Sequence, residues 1–126
     1  MELQAKDLRI GNWIFKDKHF QINGVNIGRA YNYIIDNDRD EYEIENIKPI
    51  PLTEEWLLKF GFERDVSDLI IEINNHSELS FDEDLDCYLS IDNGHEWNST
   101  DINIKYVHQL QNLYYSLTGE ELTIKK

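Results

Sequence analysis

The stretch Lys105–Leu122, KYVHQLQNLYYSLTGEEL, decides the architecture. Val107, Leu110, Leu113, Tyr114 and Leu117 recur at spacings of three and four, the apolar stripe of an amphipathic helix. Gly119 follows as a stop signal, so the pattern predicts a helix over 106–118. His108 lies about 100° around the helix from Val107. A zinc site on a helix would need a second ligand three or four residues away. Ile104, Lys105, Gln111 and Asn112 stand there instead. His108 therefore reads as a boundary histidine with an ordinary hydrogen bond, and the helix as a packing element. ELTIKK after it reads as a short terminal strand.

Upstream, IKPIPLTEEWLLKFGF (47–62) carries the second helix signal. Pro49 and Pro51 impose an extended approach. Thr53 can cap the first free amides, and Glu54 and Glu55 sit at the positive end of the dipole. Leu52 and Leu57 stand at the two positions of a hydrophobic staple, and Gly61 at the left-handed stop. A helix over 53–60 is predicted, with Trp56 and Phe60 on one side.

The remaining segments read as strands. LRIGNWIF (8–15) bends at Gly11, and HFQINGVNI (19–27) contains Asn23-Gly24, either a tight hairpin or a bulge in one longer strand. AYNYIID, YEIENI, DLIIEIN, ELSF, CYLSI and HEWNSTDINI follow, with Asn93-Gly94 as a second hairpin turn. No internal repeat is expected. The fold class is α+β: a curved, mostly antiparallel sheet or partly open SH3-like barrel with two helices, in a single domain over 1–126. Ile10, Ile14, Ile22 and Ile71 are expected to share a core with the helices.

Charge is unevenly placed. The net charge is −13, and Asp36–Asp101 holds 20 acidic against 4 basic residues, leaving 5 acidic and 8 basic outside it. An acidic middle repels phosphate backbones, so nucleic-acid binding there is disfavoured. The lone Cys87 has no partner for a bridge or a zinc knuckle, which points to a reducing compartment. The start, MELQAKDLRI, lacks an apolar leader core, and no run approaches the roughly 18 apolar residues of a spanning helix. A cytoplasmic protein without membrane contact is expected.

Chemical motifs are absent from the sequence. There is no GxGxxG, Walker A or nucleophile elbow. Asp36, Asp38 and Asp40 resemble the start of a calcium loop, but Glu41 stands at the glycine position and Ile47 at the twelfth. A solvated turn is the expectation there and for DEDLD at 82–86. No catalytic residue, metal ligand or cofactor is assigned. Aromatics are more numerous than the core stripes require: Tyr31, Tyr33, Tyr42, Trp97, Tyr106 and Tyr115. Tyr31, Tyr33, Trp97 and Tyr115, with Arg9, Arg29 and Lys105 as cations, are the candidate ligand-binding residues.

KDLRIGNWI, PIPLTEEWLLKFGF and IKYVHQLQNLYYSLTGEELT together resemble a group of small uncharacterised proteins of Bacteroidetes, including their phages and mobile elements. The resemblance implies a bacterial or phage cytoplasmic setting and transfers no activity. RIGNWIF followed by FQINGVNI is also similar to the first strands of SH3-like barrels. The first functional expectation is a non-enzymatic interaction protein, a phage or mobile-element accessory factor, whose acidic middle engages a basic protein. The alternative is a protein that binds or sequesters a nucleotide or metabolite. An enzyme of unknown class comes third.

Overall fold

Each strand pairs only with a neighbour in chain order. The computed structural model describes residues 2–28 and 31–125, and these form two α-helices and ten strands in three antiparallel sheets. Among the described residues none of the sheets closes into a barrel, and no helix is long and apolar enough to cross a membrane. The chain divides into two compact units, Met1–Pro51 with Tyr106–Leu113, and Leu52–Lys105 with Tyr114–Lys126.

In the first unit a 3₁₀ turn at Ala5–Asp7 precedes a hairpin of β1 (Trp13–Lys16) and β2 (Lys18–Gln21). A meander of β3 (Gly24–Ile27), β4 (Asn32–Ile35) and β5 (Glu41–Glu43) follows. Leu3, Leu8, Ile14, Phe20, Ile22, Ile34, Ile44 and Ile47 form its core. Removing each such side chain from water contributes roughly 1.5–3 kcal/mol. Asn23-Gly24 turns out to be neither hairpin nor bulge. It separates β2, which pairs with β1, from β3, which pairs with β4.

Ile10 is a correction: it is 62% exposed and outside the core. Leu8–Asn12 is a turn, because Gly11 takes φ +97° and the Asn12 N–H donates to the Arg9 carbonyl. The strand therefore begins only at Trp13.

In the second unit α1 (Glu54–Lys59) starts at Thr53, whose hydroxyl accepts from the Trp56 N–H at 3.3 Å. It ends at Gly61, φ +95°, with Phe62 N–H donating to the Leu57 carbonyl and Gly61 N–H to Leu58. This is the paired-bond stop that a left-handed glycine allows. Leu52 and Leu57 are both buried, and the Trp56 and Phe60 rings lie 5.7 Å apart. The strands β6 (Glu63–Asp65), β7 (Asp68–Asn74), β8 (Ser77–Phe81), β9 (Cys87–Asp92) and β10 (Trp97–Ile102) form one sheet in the order β10-β9-β8-β7-β6. Leu69, Phe81 and Cys87 align across three strands and are buried, and the Phe62 ring packs edge-on against Phe81. Ile71 is only partly buried. Residues 120–125 form no strand. Leu122 is buried there, and the Lys125 N–H donates to the Lys59 carbonyl at 2.7 Å.

The last helix, α2 (Val107–Thr118), is capped by Gly119 at φ +75°, whose N–H reaches the Tyr115 carbonyl. Its buried residues are Val107, His108, Leu110 and Gln111, while Leu117 is 37% exposed. The inward face is thus rotated from the apolar stripe toward two polar side chains.

Candidate functional site

The rotation of α2 has a cause in the first unit. Gln111, fully buried, accepts from the Trp13 N–H at 2.8 Å and donates to the Gly11 carbonyl at 3.0 Å. Asn112 accepts from Arg9 Nε at 2.8 Å and from Asn12 Nδ2 at 2.9 Å, and donates to the Asp7 carbonyl. Asn12, also fully buried, accepts from the Arg9 N–H at 2.6 Å. The turn 7–13 leaves backbone groups without strand partners, and these side chains supply them. Arg9, expected to hold an anion, is instead a member of this internal lock.

His108 is a second correction. It is 1% exposed, and neither ring nitrogen has a hydrogen-bond partner among the described residues. Burial lowers its proton affinity, and the charge of Asp7 only partly restores it. The ring stacks at 6.0 Å on Tyr106. A neutral packed imidazole results.

The two acidic stretches share one structure, against the expectation that the chain lacks a repeat. In D-x-D-x-D-x-Y at 36–42, Asp36 Oδ1 accepts from the Asp38 and Asp40 N–H groups, both at 2.9 Å, and Oδ2 accepts from the Tyr42 hydroxyl. At 82–88, Asp82 Oδ1 accepts from the Asp84 and Asp86 N–H groups, both at 3.0 Å, and Oδ2 accepts from the Tyr88 hydroxyl. The fourth residue is left-handed in both, Arg39 at φ +66° and Leu85 at φ +64°. Each turn joins two strands of a meander, β4 to β5 and β8 to β9. The three carboxylates of each turn have oxygens within 4.8 Å of one another. The leading aspartates, however, already serve backbone amides and a phenol, which is a turn-building role.

The first turn also shifts acidities. Burial pushes the Asp36 carboxyl up, but the bonds from Asp40, Tyr42 and Asp38 and the Lys18 charge outweigh it, so its pKa is lowered. Tyr42 is pushed up to about 12, first by its bond to Asp36.

The second unit carries a groove of about 540 Å³ along β6, β7 and β8. Glu63, Asp65, Glu72 and Glu78 line it with Arg64, Tyr114 and Lys125. Glu72 and Glu78 are directly opposite in the β7–β8 register, a like-charge pairing that opposes sheet formation. Glu78 holds its proton more tightly than usual, through burial and then through the charges of Glu72 and Asp65. Arg64 is engaged by Glu54. Sequence reading missed these four carboxylates. Alternation along DLIIEIN puts Ile70 and Glu72 on one face, but only the register of β8 reveals Glu78 opposite.

The other predicted residues are dispersed. Tyr31 and Tyr33 do meet, with rings edge-on at 4.6 Å and Tyr31 49% exposed. Arg29 lies outside the described residues. Trp97, half exposed, opens β10 and Tyr115 is an exposed residue of α2. Lys105 borders a concavity of about 350 Å³ beside Asp86, Cys87, Tyr88 and Asp101, with its ammonium 4.0 Å from Asp86. Those carboxylates disfavour an anion there. The Cys87 thiol is buried and pushed up to about 12 by desolvation, which leaves it unreactive. Comparison of the chain with protein-family models, curated proteins and solved structures finds no match.

Proposed function

We propose that this chain is a non-enzymatic interaction protein that seats a basic protein segment in the acidic groove of its second unit. One observation carries the reading: Glu78 is flanked by Glu72 and Asp65 on a partly enclosed sheet face. Such an arrangement costs stability in the unbound protein. A lysine or arginine side chain laid between these carboxylates turns the repulsion into attraction. The surrounding charge favours the same partner, because this unit holds 16 acidic against 5 basic residues, a formal charge of −11, and the other holds 9 against 7, or −2.

Isothermal titration with a lysine-rich peptide tests the idea. Binding should weaken about tenfold or more when salt rises from about 0.05 to 0.3 M, because the contacts are exposed charges. The double variant Glu72→Gln/Glu78→Gln should bind at least about fivefold more weakly. Equal affinity in the double variant sinks the groove as the seat. A small-ligand reading has one supporting feature, the Tyr31–Tyr33 ring pair, whose exposed Tyr31 offers a stacking surface. Thermal-shift screening against nucleotides addresses it, since a tight ligand must raise the melting temperature.

A further inference from the structure

The acidic groove of the second unit is bordered by a later segment of the same unit. Residues 120–125 run on from Gly119 without helix or strand. Two points hold them. Leu122 is buried, and the Lys125 N–H donates to the Lys59 carbonyl at 2.7 Å. That bond completes the end of α1, where the Trp56, Leu57 and Leu58 carbonyls accept from Phe60, Phe62 and Gly61. The Lys125 side chain then lies over Gly61, where an added β-carbon would come 2.8 Å from its Cγ and 3.2 Å from its Cε. Gly61 and Lys125 line the groove together with Glu63, Asp65, Glu72 and Glu78. Arg64, the other cation lining it, is engaged by Glu54.

We propose that residues 120–125 are an autoinhibitory strap: Lys125 holds the Gly61 end of the groove and lifts away when a basic segment is seated. This device rests on the groove being the seat of a basic partner, and it regulates that seat. A lysine stem laid over a glycine at an acidic rim is the kind of contact a partner lysine would make. Tethered at Leu122, it is present at an effective concentration of about millimolar, so it competes with a partner. Lifting it is cheap. Lys59 and Lys125 are both exposed, so their bond can be exchanged for bonds to water. Leu122 stays behind as the fixed point. Glu78 still feels the charges of Glu72 and Asp65, so the strap leaves attraction for a partner in place.

Titration calorimetry of the full chain with a lysine-rich peptide, paired with NMR of the Lys125 amide, provides the test. Lys125→Ser should tighten binding about threefold or more, because the seat is then open in every molecule. Lys125 is exposed and the substitution keeps both Leu122 and the backbone bond, so the fold is retained; unchanged circular dichroism checks this. In the wild-type protein, saturating peptide should speed exchange of the Lys125 N–H with water about fivefold or more, as its bond to Lys59 opens.

A tighter Lys125→Ser complex, with wild-type Lys125 N–H exchange unchanged by peptide, would be a bulk charge effect and overturns the strap. So does equal affinity in Lys125→Ser. If that equality comes with weaker binding by Glu72→Gln/Glu78→Gln, the groove stands as the seat without a strap. Absence of peptide binding in every variant removes the seat and the strap together.

Discussion

The Asp36 and Asp82 turns share the same bonds but sit in different surroundings. Asp36 is 3% exposed, and its partner Tyr42 stacks on the core residue Phe20 at 4.9 Å. Asp82 is only partly buried, and its phenol bond is longer, 3.3 Å against 2.9 Å. A five-residue acidic turn thus closes in either setting, because its bonds are local. What the surroundings alter is how much rests on it, since an unpaired polar group is costly only where water is excluded. The same contrast runs through the two units. The first directs its amides inward, in the lock of Asn12, Gln111 and Asn112. The second, at −11, keeps its charge at the surface, where it repels itself and attracts cations.

Removing the inward lock should have the largest effect. Gln111→Ala removes the buried side-chain acceptor of the Trp13 N–H and one of the two side-chain donors to the Gly11 carbonyl, the other being Gln21 Nε2, and should cost about 2 kcal/mol in urea unfolding. A loss under about 1 kcal/mol would mean the network is not what holds the 7–13 turn. The paired turns come next. Asp36→Asn should destabilise more than Asp82→Asn, and the reverse order would break the claim that burial sets their weight.

The acid side of the stability curve follows from the same turn. Because Asp36 has a lowered pKa, its contribution is present above the ordinary carboxyl range, near 3.8, and is lost as pH falls through the lowered folded value. Asp36→Asn should therefore flatten the acid limb.

His108 gives a smaller effect, in a different window. Its folded pKa lies below the ordinary 6.5, so the unfolded chain takes up the proton first. Stability should fall as pH drops below about 6.5, and His108→Leu should remove that slope in unfolding experiments between about pH 7.5 and 5. A slope that survives the substitution would assign it to other groups. The smallest change runs the other way. Glu78→Gln relieves the repulsion with Glu72 and should raise stability by about 0.5 kcal/mol, after allowance for solvent screening. A measured loss would mean that Glu78 supports the sheet, and the groove would then have no stored repulsion to offer a partner.

Much of this was legible in the chain. Thr53, Gly61 and Gly119 set the helix ends through bonds to groups within about five residues. The α+β class follows from those signals and from the strand patterns between them. The repeated D-x-D-x-D-x-Y was equally visible, as two septets of one spacing, and only comparison of the two stretches was needed to find it. The burial of His108 and Gln111 was not visible, because Leu113 and Leu117 suggest a different inward face.

The sequence by itself determined where helices stop and where turns close, since these depend on a residue and its near neighbours. Tertiary structure alone decided which face of α2 goes inward, that Ile10 stays out, that Glu72 meets Glu78, and that β10 is left as an edge. Each depends on a segment far along the chain supplying an acceptor, a strand or a charge, and register between distant strands is written in no single stretch.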